Sequence, residues 1–178
     1  MSKASHFVFN GLYIVAWLIF IGLSMEAGGL LVNFFFSLFK PEFIPHLYQK
    51  LDLTPLYKES RGAFFGIYGF LLSIAMLKAC LFYNVIRLMH KMDVSNPFSA
   101  FVSKQISSLS YFVLSIGLLG YLGRELAGKL TPNGYATEHL SPFWIDSQAF
   151  VLMGAILYVI ATIFRKGVEL QNENDLTV

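Results

Sequence analysis

The sequence has little charge and almost no cysteine. Only 13% of its residues are Asp, Glu, Lys or Arg, about half the share usual in soluble domains. A single cysteine, Cys80, excludes an internal disulfide and, by itself, a zinc site. The histidines, His6, His46, His90 and His139, are scattered without metal-ligand spacing, and there is no glycine-rich phosphate loop and no nucleophile elbow. A net charge of +2 is too small for a nucleic-acid-binding surface. Glu138, His139, Ser141 and Asp146 are residue types a hydrolase uses, but they lack catalytic spacing and read as a solvated loop. The expectation is a protein that is not an enzyme, with no metal, no cofactor and no direct nucleic-acid contact.

What is present is hydrocarbon: 56% of the residues are hydrophobic, and 18 are Phe. A soluble sphere of this size cannot hide so much apolar surface, so a bilayer must cover it. Four long apolar runs, at about 11–32, 62–85, 106–122 and 143–164, each fall within the about 17–25 residues of a membrane-crossing helix. Backbone N–H and C=O groups in lipid must be satisfied within the segment, which selects helices. The fold class is therefore an all-α integral membrane protein. A four-transmembrane-helix antiparallel bundle, built as two helical hairpins in a single domain over 1–178, is predicted.

The first run follows Lys3, is about twice the length of a signal-peptide core and ends without a small-x-small cleavage pattern, so it reads as an uncleaved helix. Apolar text continues to Phe39, which predicts either a bend at Gly28-Gly29 or a turn after Asn33. In the outer loop, 33–61, Pro41 and Pro45 break helix. Leu47, Tyr48 and Leu51 then share one face of a short helix, lying on the interface or packed on the bundle. Thr54-Pro55, Asn96-Pro97 and Ser141-Pro142 each place a capping residue before a proline, predicting the starts of the other three helices. Their spacing hints at a helical repeat. Residues 123–142 form a second outer loop, and Trp144, just beyond it, anchors the fourth helix at the interface. Cys80 reads as a small apolar filler within the second helix.

Lys and Arg are tied at six on each side, with Lys78 inside a span. Arg165-Lys166 abut a helix end, and Arg87, Lys91 and Lys104 lie in the shortest connector, 86–105. The positive-inside bias acts most strongly there, placing both termini, the connector and the tail, 165–178, in the cytoplasm.

Glu26 is the costliest residue of the first helix. It shares a face with Gly22, Gly29 and Asn33, a small polar stripe where another helix can approach. Its depth, near the outer edge, predicts Arg61 or Arg124 as an ion partner, with Lys78 too deep to reach it and snorkelling towards the cytoplasmic interface. A proton- or substrate-binding carboxylate is the competing reading.

The connector Asn96-Pro97-Phe98-Ser99, with basic residues before it, and the tail from Phe164 through Glu-Leu (169–170) to Glu-Asn-Asp-Leu-Thr-Val (173–178) carry a resemblance. Together they resemble the bacterial four-span membrane proteins of domain-of-unknown-function family 2975. The resemblance implies an inner-membrane protein often encoded beside a small helix-turn-helix regulator, and hence a sensor or tether for such a partner. In the tail, Glu169, Glu173 and Asp175 supply charge, and Leu170 and Leu176 supply apolar anchors; in the connector, Asn96, Pro97 and Phe98 are the docking candidates. The alternative is a small homo-oligomeric transporter or channel built around the Glu26 face.

Overall fold

The computed structural model describes residues 3–40, 42, 44, 53–93, 97–130, 140–144 and 146–175. Its helices are α1 (Lys3–Phe39), α2 (Thr54–Glu59), α3 (Arg61–Lys91), α4 (Ala100–Leu130), α5 (Ser141–Trp144) and α6 (Ser147–Asp175). Four of them, α1, α3, α4 and α6, are long and apolar enough to cross a membrane. The chain is a multi-pass, all-α membrane protein with four spans. The proposed interfacial helix around Leu47, Tyr48 and Leu51 lies outside the described residues, as do Asn96, Glu138, His139 and Leu176.

Neighbouring spans run antiparallel, and side-chain contacts fix their register. Along α1 and α3, Tyr13 stacks on His90, Phe20 meets Tyr83, and the buried Tyr68 hydroxyl donates to the Leu30 carbonyl at 2.8 Å. The main core cluster runs along α3 and α4 and takes in Phe64, Ile67, Tyr68 and Leu71 of the one and Leu109, Val113 and Ile116 of the other. The most extensive interface joins α4 and α6. It is a glycine seam: a Cβ on Gly117 would stand 2.7 Å from the Val151 backbone nitrogen, and one on Gly120 would stand 2.5 Å from the Ser147 Oγ. Across from them, a Cβ on Gly154 would meet the Leu114 side chain at 2.6 Å. Removing the side chains lets the two backbones approach, and dispersion contact replaces the missing hydrophobic drive between helices in lipid.

Helix α1 packs chiefly on α3 and buries the smallest share of its residues of the four spans. It continues as helix through Gly28-Gly29 and Asn33 to Phe39, so the turn expected after Asn33 is absent. At 37 residues it is roughly 56 Å long, well beyond the hydrocarbon thickness.

The proline pairs do not open the long helices. Thr54-Pro55 opens only the six-residue α2, whose N-cap, Leu53, has no side-chain cap bond. The span itself starts at Ser60, which is extended and accepts from the Ala63 N–H through its Oγ at 3.3 Å. Ser99 does the same for α4, accepting from the Val102 N–H at 3.3 Å, two residues after Pro97. At α6 the Ser141–Trp144 turn precedes the helix, and Ser147 Oγ donates to the Trp144 carbonyl at 2.6 Å. A proline precedes the start in each case, and at α3 and α4 a serine oxygen after it takes up a free N–H of the first turn.

Candidate functional site

The sequence offered two regions for function, and the fold treats them differently. The first is the Glu26 stripe on α1. Glu26, Gly29 and Asn33 are half-buried and Gly22 is exposed, and a Cβ on Gly22 would meet nothing within 4 Å. The stripe flanks the face of α1 that packs on α3, which carries Ala16, Ala27 and Leu30. At Gly22 no neighbouring helix comes within reach of the stripe.

The predicted ion pair does not form. Among the described residues the one ion pair is Lys166–Glu169, at 3.2 Å. Arg61 instead lies over the Tyr57 ring and Arg124 over the Tyr121 ring, both 5.5 Å from the ring centroid. The reason is depth. With α1 helical to Phe39, Glu26 falls in register between the Phe20–Tyr83 and Leu30–Tyr68 contacts, mid-way along α3. Arg61 begins that helix, and from Tyr68 back to Arg61 is about 10 Å further out.

Lys78 also departs from expectation. Its ammonium stands 5.9 Å from the Phe150 ring centroid and lines a small cavity of about 20 Å³ among Ile74, Gly120, Asp146 and Ser147. Side chains on a helix lean towards its N-terminus, and the N-terminus of α3 lies on the side away from the termini. The lysine therefore reaches away from the expected cytoplasmic interface, and away from α1. Trp144 likewise is buried rather than anchored in lipid headgroups, its ring filling the space where a Cβ on Gly123 would stand at 2.6 Å. Cys80 is exposed on the outside of α3, not packed within it.

The second region is the connector and the end of α6, and here the fold brings the two sequence signals together. The Phe98 ring lies 5.2 Å from Phe164, centroid to centroid, and covers Gly167, where a Cβ would meet Phe98 Cδ1 at 2.6 Å. Pro97 is half-buried beside it. Lys91 at the end of α3 lies 5.8 Å from the Phe101 ring centroid, closing the connector on its other side. Past Phe164, α6 continues to Asp175, roughly 16 Å of polar helix.

That extension has two faces. Phe164, Gly167, Val168 and Gln171 are half-buried on the side towards Phe98. Lys166, Glu169, Leu170 and Glu173 are exposed, at spacings of three and four that place them on the opposite face. Leu170 is 61% exposed, an apolar side chain between two carboxylates. Sequence reasoning missed the role of Gly167 and the α4–α6 seam. The signals were present, as Gly117, Gly120 and Gly123 recur every third residue, but spacing on one helix does not name the helix that will use it.

Among the described residues no three of His, Cys, Asp or Glu come together as a metal site. No curated protein and no solved structure matches the chain. The family described as "protein of unknown function (DUF2975)" matches residues 39–178, which comprise α2 to α6 and leave nearly all of α1 outside. With most of its length matched, and with four apolar helices of the expected kind, the chain belongs to the DUF2975 family.

Proposed function

We propose that the chain is a non-enzymatic protein of the bacterial inner membrane that tethers a cytoplasmic protein through the end of α6. Both termini lie in the cytoplasm in this reading, supported by Arg87, Lys91, Lys104, Arg165 and Lys166 beside the helix ends on that side. The observation that carries it is the packing of Phe98 on Phe164 and Gly167. The connector braces one face of the projecting helix, which leaves Glu169, Leu170 and Glu173 on the other face. A helix held in place before binding loses less entropy when a partner docks. An apolar anchor ringed by carboxylates suits a basic groove on that partner. A small helix-turn-helix regulator, the partner the family resemblance implies, offers such a groove.

The test is a crosslinking pull-down from native membranes, comparing the full chain with one ending at Val168 and with Phe98→Ala. Recovery of one soluble DNA-binding protein with the full chain, lost on truncation and reduced in Phe98→Ala, supports the tether. Identical recoveries from all three retire it.

A further inference from the structure

We propose that the α4–α6 seam carries a phospholipid site on the side of the membrane away from the termini, selective for a zwitterionic headgroup. On the outer surface of the seam is a groove of about 410 Å³, within the size range of small-molecule sites. Its walls change in character along its length. Leu118, Val151, Leu152 and Ala155 line the deep end, while Tyr121 and Gln148 line the end nearest the water. A uniform apolar groove would be ordinary lipid-facing surface. This one is apolar along nearly all of its wall, and what sets it apart is the pair of charges beside its outer mouth, in the order of a lipid's chain and headgroup.

The charges at the mouth specify the headgroup. Arg124 stands over the Tyr121 ring, 5.5 Å from its centroid, so its guanidinium sits above one wall of the groove. A planar guanidinium at this position presents several N–H donors to phosphate oxygens. Glu125 follows directly, four residues from Tyr121 and seven from Leu118, on the groove's own side of α4. Both side chains are exposed, and among the described residues neither is in an ion pair. Because α4 side chains lean towards its N-terminus, both lean down towards the groove. A cation and an anion side by side at the interface match the phosphate and ammonium of a phosphoethanolamine headgroup. A purely anionic headgroup would meet Glu125 unfavourably.

The glycine seam makes the groove. Gly117 and Gly120 bring α6 close to α4, and the small Ala155 leaves the deep end open. The lipid chain occupies space that these residues leave unfilled.

The test uses the purified full chain in detergent, titrated with a phosphatidylethanolamine and, separately, a phosphatidylglycerol of the same acyl chains, read by native mass spectrometry. The wild type is expected to hold the ethanolamine lipid in preference. Arg124→Gln should weaken it about tenfold, the scale of losing a hydrogen-bonded charge. Ala155→Trp, which fills the chain end without touching the headgroup, should weaken both lipids with helix content unchanged. Glu125→Gln should keep binding but erase the preference. Equal retention by the wild type, Arg124→Gln and Ala155→Trp, or preference for the glycerol lipid, overturns the proposal. Competition by inorganic phosphate alone would also overturn it, since that reduces the site to a phosphate contact without the chain.

Discussion

Phe98, in the connector, packs on Phe164 with ring centroids 5.2 Å apart and planes tilted by 37°, while its ring edge occupies the space a side chain at 167 would need. Two segments separated by more than sixty residues in the sequence therefore act as one body at the end of the bundle. Gly167 makes that contact available. Replacing it with Leu should push Phe98 off the helix and raise hydrogen exchange in residues 97–101. Global stability should change little, because the contact lies outside the main core. Unchanged exchange in the connector would show that Phe98 holds its place without the glycine.

The glycine seam between α4 and α6 should be the most sensitive surface in the protein. At Gly117 an added Cβ meets backbone, the Val151 nitrogen at 2.7 Å and the Ser147 carbonyl at 2.9 Å, which no rotamer change relieves. Gly117→Leu should lower unfolding stability by about 1–3 kcal/mol, as overpacking does, or prevent assembly. Gly22→Leu on α1 meets nothing within 4 Å and should be neutral. Thermal unfolding in detergent compares the two.

Tyr68 is fully buried and donates its hydroxyl to the Leu30 carbonyl, a polar contact that ties α3 to α1. Tyr68→Phe removes a single hydrogen bond to a carbonyl that already serves its own helix. The expected loss is about 0.5–1.5 kcal/mol. Tyr68→Ala also opens a cavity among Phe34, Phe64 and Leu30 and should cost about 3–5 kcal/mol. Denaturant titration of both variants separates the hydroxyl from the ring.

Glu26 has no ion partner among the described residues. Glu26→Gln should therefore leave abundance and thermal stability within about 0.5 kcal/mol of wild type. A loss of several times that size would show that the carboxylate is held by something beyond the described residues, such as a second copy.

Much of the architecture was written in the hydropathy. Four apolar runs of sufficient length leave few folds open, and the structure has four antiparallel helices in those stretches. Local punctuation was harder to read. Thr54-Pro55 and Ser141-Pro142 are sound helix starts, but for helices of six and four residues; the long spans begin at Ser60 and Ser147. A proline fixes only its own turn, and the length of the helix beyond it depends on tertiary packing. The Glu26 expectation failed because depth was counted from a span ending at Val32, whereas α1 runs to Phe39. Charge drew attention to that stripe, while the uncharged glycines of α4 carried the closer packing. Phe98 and the tail were legible as separate signals. Their contact was not, since nothing in one segment's spacing records the other's position.

The most direct measurement is a disulfide crosslink in native membranes between cysteines introduced as Phe98→Cys and Gly167→Cys, in a Cys80→Ser background. A Cβ at Gly167 lies 3.4 Å from the Phe98 Cγ, so the introduced pair falls within reach of a disulfide. Rapid, near-complete oxidation is expected, matched by a Gly120→Cys/Ser147→Cys control on the seam. A control that crosslinks while the Phe98–Gly167 pair stays reduced would contradict the bracing contact. The connector would then not hold the end of α6, and that end would not be a preformed docking helix.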